Sequence, residues 1–300
     1  MGHKRPTEVT RSYLEAAPLP QWGPSYTVVS HKQVIDRTTK LLEDSGFAIT
    51  RELYRANLDA KVAQGIYHIK PKTNSAITDP KVLNETELGM MFAWTNSYDK
   101  TIRFQCAIGG YVGVCYNGMV AGDLMNFKRK HTGAADHDIH MQISNQIKNA
   151  EKIYKRIIDD RDALRKTLLT KEQQAALLGR LYFNEELLDN TQMTCCRNEM
   201  NKPSYDYNCD QENAWTFYNH VTHAFKTSHP RTWLSDTQTF HDFITAEVLG
   251  QHSPLQVDNT YNALSKYSEL NIDEDEDWLE VPNTVDIDDV QLTAQHLIKT

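Results

Sequence analysis

The sequence predicts an α+β fold, in which an antiparallel sheet of about five strands packs with a long amphipathic helix and a helical C-terminal half. Two observations lead to this class. Residues 47–112 contain short segments in which apolar and polar side chains alternate, as they do in half-buried strands. From residue 136 onwards the apolar side chains recur every three to four residues instead, which is the period of a helix with one buried face.

The N-terminal part predicts an arm followed by one helix. Residues 1–25 contain four prolines and no steady apolar period, so we expect an extended, Pro-rich arm. A single α+β domain is predicted over residues 26–250. Its first helix starts after Ser30, whose hydroxyl suits an N-cap, and ends at Gly46.

Five segments predict the sheet. Residues 47–56 and 63–72 form a hairpin, residues 88–97 and 102–110 form a second pair, and residues 111–123 add a strand that turns at Asn117-Gly118. Five glycines occur within residues 92–123. They suit turns, a bulge or the close approach of two backbones, and the alternative is a ligand that lies against bare backbone.

The second half predicts helices. Apolar residues from Ile139 to Leu164 indicate one amphipathic helix of more than 25 residues. Thr170 and Gln173 form a capping box that starts another helix. Residues 188–211 are polar and predict a loop, whereas residues 212–227 and 236–250 predict two further helices.

The acidity of the chain lies in its C-terminal segment. The net charge is −8, and residues 271–300 hold nine acids against Lys299 alone, which leaves 31 acids and 31 bases in the rest. Residues 251–300 therefore predict an acidic, flexible tail, because like charges repel one another and stay solvated. Such a tail solubilises the protein, competes with nucleic acid for a basic groove, or recruits a phage or host protein.

Several function classes find no support in the sequence. No apolar run of 18 residues and no leader segment occur, so we expect no membrane association and a place in the cytoplasm of the host. The five cysteines predict reduced thiols. The nucleophile elbow, the P-loop and the dinucleotide-binding glycine motif are all missing, so the sequence assigns no catalytic residue and no cofactor.

Paired histidines are the one pattern that suggests a metal. His137 and His140 share one helix face, as do His220 and His223, but neither pair has the spacing of a recognised zinc motif. We therefore predict no metal site and keep a metal-dependent hydrolase as an alternative function.

Basic residues interleaved with aromatic ones predict the site. Cations and flat rings on a sheet surface are suited to follow a phosphate backbone and to stack unpaired bases. The residues expected to meet phosphates or bases are Arg51, Tyr54, Arg55, Tyr67, Lys70, Arg103, Phe104, Lys128, Arg129, Lys130 and His131.

At these residues the chain resembles a known family. The blocks that carry the resemblance are DSGF (44–47), NSYD (96–99), GGYVGVCYNGMVAGD (109–123), KHTG (130–133) and AWTFYNHVTHAFK (214–226). Over about residues 29–244 they resemble the uncharacterised phage/plasmid-like protein family, which occurs in phages, prophages, plasmids and genomic islands. The resemblance brings no agreed enzyme activity. The family usually has a histidine two positions after Asn96, where this chain has Tyr98. His131, by contrast, matches a family position of its own.

The resulting expectation is a phage or mobile-element protein that binds single-stranded nucleic acid, most simply DNA, in replication, recombination or transcription. A homo-oligomer is compatible with this expectation. The alternative from another class is a protein-binding inhibitor of a host defence or nuclease complex, which would use the acidic tail as a nucleic-acid mimic.

Overall fold

Alternating apolar residues build an open antiparallel sheet in which each strand pairs with the next one along the chain. A computed structural model describes residues 7–20, 28–57, 59–99, 102–121 and 135–250. Within these ranges the strands form one sheet of order β1-β2-β3-β4-β5-β6. They are β1 (Thr7–Val9), β2 (Phe47–Ala56), β3 (Val62–Pro71), β4 (Leu88–Ser97), β5 (Gln105–Val112) and β6 (Gly118–Met119). The predicted α+β class with an antiparallel sheet is confirmed.

Helices fill the rest of the described chain. They are α1 (Arg11–Glu15), α2 (His31–Asp44), α3 (Pro80–Leu83), α4 (Ala135–Lys148), α5 (Ala150–Lys166), α6 (Lys171–Phe183), α7 (Asn190–Asn201), α8 (Ala214–Ala224) and α9 (Trp233–Leu249), with a 3-10 turn at Phe225–Thr227. The predicted boundaries of α2 are confirmed, because Ser30 and Gln33 form its capping box. Gly250 ends α9 in the left-handed conformation, with φ at +64°.

The main hydrophobic core packs against one face of the sheet. Residues that pair across antiparallel strands point to the same face, and Tyr54, Gly65 and Trp94 form one such row. Helix α2 packs against β2 on this side, and α4 and α5 pack against β5. Tyr54, Tyr67 and Trp94 are almost fully buried, and the hydroxyl of Tyr67 accepts a hydrogen bond from Trp94 Nε1 at 3.3 Å.

Three predictions of local structure need correction. Residues 7–15 do not extend as an arm, since β1 pairs with β2 and Leu14 of α1 is buried. The single long helix is two helices that meet at Asn149. The predicted loop at 188–211 contains α7, which starts from a capping box of Asp189 and Gln192. The acidic tail at 251–300 lies outside the described residues.

The NSYD block (96–99) connects the end of β4 to the start of α2. Asn96 Nδ2 donates to the backbone oxygen of Val29 and lies 3.0 Å from His31 Nδ1. His31 Nε2 lies 2.8 Å from the backbone oxygen of Ala60. The ring of Tyr98 stacks on His31 at 3.9 Å, and its hydroxyl accepts from the His31 backbone N–H. Every ring nitrogen of this buried histidine therefore has a protein partner, which fits a role in folding rather than in catalysis.

Candidate functional site

A cleft opens on the face of the sheet that α2, α4 and α5 leave uncovered. Arg51, His68 and Met91 pair across β2, β3 and β4 and so point into it together. The opposite wall comes from the helical half, through Tyr205, Thr222, Lys226 and Trp233. The cleft has a volume of about 430 Å³. This is the range of pockets that hold small molecules or single nucleotide units. We call it the sheet cleft.

A β-bulge lies next to Arg51 at the sheet cleft. The register of β2 against β3 shifts between Ile49 and Arg51, so Thr50 is an extra residue. In a regular strand Ile49 would share the cleft face with Arg51, because side chains alternate along a strand. The bulge instead places Ile49 opposite Ile69, on the core face. The hydroxyl of Thr50 donates to the backbone oxygen of His68 at 3.1 Å, which holds the bulge in place.

Three aromatic rings with nearly parallel planes stack together in the sheet cleft. His68 stacks on Tyr111 with centroids 3.8 Å apart and planes 15° apart. Tyr116 lies beside them, 5.3 Å from His68 and 5.8 Å from Tyr111, with its plane within 23° of both. Arg51 lies over the ring of Tyr116 at 4.9 Å. We call His68, Tyr111 and Tyr116 the ring platform.

The turn between β5 and β6 presents Tyr116 to solvent. Its backbone is in the left-handed region, with φ at +57°, which is strained for a bulky residue. The side chain is nevertheless 52% exposed. The turn is held from both sides, because Tyr116 N–H donates to Val112 O and the buried Asn117 donates to the backbone of Asn219 on α8. A strained backbone conformation that presents a side chain to solvent, instead of burying it, is typical of a functional position.

Lys226 stands on the wall opposite the ring platform. Its Nζ donates to the backbone oxygen of Cys115 at 2.6 Å and lies 5.3 Å from the centroid of Tyr205. The 3-10 turn that carries Lys226 is held by Arg55, whose guanidinium donates to the backbone oxygens of Lys226 and Ser228. The sheet cleft thus brings cations from two walls close to exposed rings.

Charge in the sheet cleft is positive on balance. Among the lining residues that the structure describes, three are cations, Arg51, Arg55 and Lys226, and one is a carboxylate, Glu8. His68 does not add to this charge near neutral pH, because burial and the neighbouring Arg51 lower its pKa to about 4. Burial also lowers the pKa of Arg55, to about 10, which leaves it charged at neutral pH. The cleft therefore suits an anion that carries a flat, uncharged ring.

The structure separates the residues that the sequence grouped together. Arg51 lines the sheet cleft as predicted from its charge, and Arg55 lines it as a buried support. The stacking role of Tyr54, Tyr67 and Phe104 is wrong, because all three rings are buried with at most 4% of their surface exposed. Tyr54 precedes Arg55 on β2, and Tyr67 precedes His68 on β3. Because successive side chains point to opposite faces of a sheet, both tyrosines face the core.

The remaining predicted cations do not join the cleft. Lys70 and Arg103 are exposed, but Lys70 lies near the end of β3 and Arg103 precedes β5 at the other end of the sheet. Neither lines the cleft, so the predicted single surface of all these cations is wrong. Lys128, Arg129, Lys130 and His131 lie outside the described residues.

Sequence reasoning missed most of the rings and one cation. His68, Tyr111, Tyr116, Tyr205 and Lys226 line the sheet cleft, yet only Arg51 and Arg55 were predicted in this part of the fold. A strict count of alternation along β3 and β5 would have placed His68 and Tyr111 on the face opposite Tyr67. Tyr205 and Lys226 carry no comparable signal, because they reach the cleft from the helical half.

The histidine pairs occupy different environments. His137 and His140 are exposed on α4. His220 is buried, and its Nδ1 lies 4.0 Å from Glu199 Oε2. Among the side chains that the structure describes, no group of three or more His, Cys, Asp or Glu residues is arranged to hold a metal ion.

Gly89 allows the ring of Tyr111 to lie flat on the sheet. A Cβ atom at Gly89 would lie 2.0 Å from Cζ and 2.4 Å from Oη of Tyr111. Gly89→Ala is therefore expected to push Tyr111 off His68 and to lower stability by about 1–3 kcal/mol. It should also weaken binding of a single-stranded oligonucleotide, the ligand expected from the sequence, about tenfold. The matched control is Gly179→Ala on α6, where a Cβ meets nothing within 4 Å. Equal affinity of Gly89→Ala and wild type in a binding titration would contradict the role of the platform.

Comparison with known proteins identifies the family. Residues 18–244 match the model of a family described as a domain of unknown function, DUF932. No curated protein and no solved structure matches the chain significantly. In the described ranges, no helix combines the length and the apolar character that a membrane crossing needs. Since the match covers 227 of the 300 residues, the chain belongs to the DUF932 family.

Proposed function

We propose that this protein binds single-stranded nucleic acid through the sheet cleft. The observation that carries the proposal is the ring platform, which has an exposed tyrosine at its edge, Arg51 over that tyrosine and Lys226 on the facing wall. Aromatic rings stack bases of any sequence, and nearby cations follow the phosphates.

Unpaired bases fit this site better than paired ones. The bases of a duplex are already stacked within the helix, whereas a single strand can offer a base face to a protein ring. The platform lies inside a cleft of about 430 Å³ rather than on a broad flat surface. A single base with its phosphate matches such a volume, and a duplex does not.

The proposal extends to the biological setting. All five blocks that resemble the phage/plasmid-like family, which run from residue 44 to residue 226, lie within the family match at residues 18–244. On this basis the protein is a phage or mobile-element protein that works on single-stranded DNA in the cytoplasm of its host, in replication, recombination or transcription. The acidic segment 271–300 then competes with the strand for the cleft or recruits a phage or host protein. A homo-oligomer that aligns several clefts along one strand fits the same role.

A titration with three labelled probes tests the proposal. The full chain is mixed with a single-stranded DNA of about 20 nucleotides, its duplex and the corresponding RNA, at two salt concentrations. We expect the single strands to bind more tightly than the duplex, with an affinity that falls as salt rises. Failure of every probe to bind would contradict the proposal and would favour the protein-binding alternative.

Arg51→Gln tests the cation in the same assay. The variant is expected to bind the single strand about five- to tenfold more weakly and to lower the slope of log affinity against log salt by about 0.7, since one phosphate contact is lost. Lys171→Gln is the control, because Lys171 is exposed on α6 and does not line the cleft. An unchanged slope for Arg51→Gln would remove Arg51 from the interface.

A further inference from the structure

A lysine, a histidine and a glutamate form a line that ends at the wall of the sheet cleft. Lys226 Nζ lies 3.4 Å from His223 Nδ1. His223 Nε2 lies 3.8 Å from Glu199 Oε1. Glu199 is nearly buried and is held by Ser204, whose backbone N–H donates to Oε2 at 3.0 Å and whose hydroxyl donates to Oε1. Ser204 therefore fixes Glu199, and His223 lies between Glu199 and Lys226.

The order of these groups is that of a nucleophile, a base and a residue that orients the base. The carboxylate of Glu199 favours the proton of His223 on Nε2, which leaves the lone pair of Nδ1 directed at the amine of Lys226. A nucleophile within reach of a base, with the base oriented by a third group, is the signature of covalent catalysis. Of the three residues, Lys226 is the one that lines the cleft.

The surroundings of Lys226 hold the amine in place and favour its neutral form. The hydrogen bond to Cys115 O and the nearby ring of Tyr205 fix Nζ at the wall. Desolvation lowers the pKa of Lys226, although the charges of Cys115, Glu199 and Cys195 act in the opposite direction. A neutral amine attacks carbonyl carbon, whereas an ammonium ion does not.

We propose that Lys226 is a nucleophilic amine that captures an aldehyde in the sheet cleft as an imine. Nζ forms a bond to the carbonyl carbon while a proton of the amine passes to His223 Nδ1. His223 delivers that proton to the carbonyl oxygen, which gives a neutral carbinolamine with a hydroxyl group. The second proton of the amine then reaches the hydroxyl through His223, the hydroxyl leaves as water, and a C=N bond replaces the C=O bond. The step is a condensation, so it needs no oxidant, reductant or metal.

The ligand class follows from the cleft. An aldehyde that is attached to a flat ring or to a phosphate chain would use both the ring platform and Arg51. In a single strand, the opened sugar of an abasic nucleotide carries such an aldehyde between two phosphates. This last assignment rests on the proposed function, whereas the reactive amine does not.

Reductive trapping tests the amine directly. The full chain is incubated with benzaldehyde and sodium cyanoborohydride, which converts an imine into a stable benzylamine, and the labelled lysines are located by peptide mass mapping. We expect Lys226 to be labelled about tenfold faster than Lys171, which is exposed on α6. Labelling of Lys226 at the rate of Lys171 or slower would overturn the proposal.

Variants of the supporting residues separate catalysis from simple exposure. His223→Gln is expected to slow labelling of Lys226 about 100-fold and to leave Lys171 unchanged, since a positioned base contributes about that factor. Glu199→Gln should act in the same direction and serves if His223→Gln does not fold. Lys226→Arg removes the amine, so it should abolish the trapped product at this position while the labelling of Lys171 stays unchanged. Labelling of Lys226 at the wild-type rate in a folded His223→Gln or Glu199→Gln variant would contradict the relay.

A second probe separates this proposal from the binding proposal. A single-stranded oligonucleotide with one abasic aldehyde is trapped in parallel with benzaldehyde. Labelling of Lys226 by benzaldehyde without trapping of the oligonucleotide supports the amine and rejects nucleic acid as its ligand. Absence of both products overturns the amine, even if an intact single strand binds the cleft.

Discussion

Lowering the pH from 7 towards 4 is expected to cost the folded state about 3 kcal/mol through His31 alone. Burial lowers the pKa of His31 from 6.5 to about 4. The unfolded chain therefore takes up a proton below pH 6.5 that the folded chain refuses. The stability that neutral His31 contributes is complete above 6.5 and is lost as the pH falls towards 4.

Other titrating groups set the sign of the whole effect. Burial also lowers the pKa of His68 and of His220 to about 4, so both add to the loss at acid pH. Asp236 acts in the opposite direction, because burial raises its pKa to about 6 and its neutral form is favoured as the pH falls. Since three histidines oppose one carboxyl group, we expect stability to fall between pH 6.5 and 4.

Urea unfolding at pH 7 and pH 5 measures this loss, which is about 2 kcal/mol for His31 over that interval. His31→Gln removes the titrating ring, so its free energy of unfolding should change less with pH than that of the wild type. His140→Gln is the matched control, because His140 is exposed on α4. If the free energy of unfolding changes with pH equally in His31→Gln and wild type, the contacts of Asn96 and Tyr98 do not hold His31 in its neutral form.

Replacing Tyr111 and Tyr116 together by alanine is expected to lower the affinity for a single-stranded oligonucleotide about 100-fold. Removal of one stacking ring costs about 1–3 kcal/mol per base, and the two tyrosines form most of the platform beside His68. Stability should change little at Tyr116, because it is 52% exposed and has a strained backbone. The double variant should therefore lose binding while it keeps its fold.

Fluorescence anisotropy of a labelled strand measures this affinity, and circular dichroism checks the fold. Phe183→Ala is the control for removal of an aromatic ring, since Phe183 is 77% exposed on α6 and does not line the cleft. If the double variant and Phe183→Ala both bind like the wild type, the strand does not stack on the ring platform.

Strands and capped helices could be predicted from the sequence because their signals are local. The residues of β4 form a mostly apolar run between turns, and Ser30 with Gln33 marks the start of α2 in four residues. Helix α7 escaped prediction because its asparagines and threonines have low helix propensity. It forms because Asp189 caps it and because it packs against α8.

The site was harder to predict because it depends on which face of the sheet each side chain occupies and on contacts between residues far apart in the sequence. A run of cations and tyrosines on one hairpin looks like a single surface, but alternation sends Tyr54 and Tyr67 into the core. The same alternation places Arg51 and Arg55 on the opposite face, which lines the cleft, and the bulge at Thr50 changes the face only of residues before it, such as Ile49. Lys226 reaches the same cleft from more than 100 residues further along the chain, through its bond to Cys115.

Photo-crosslinking tests the central claim most directly. A bromodeoxyuridine-substituted single strand is bound to the full chain, irradiated and mapped by peptide mass spectrometry. We expect crosslinks at Tyr111, Tyr116 or Tyr205, the tyrosines that line the sheet cleft. Crosslinks confined to residues outside the cleft, for example near Arg103, would contradict the account.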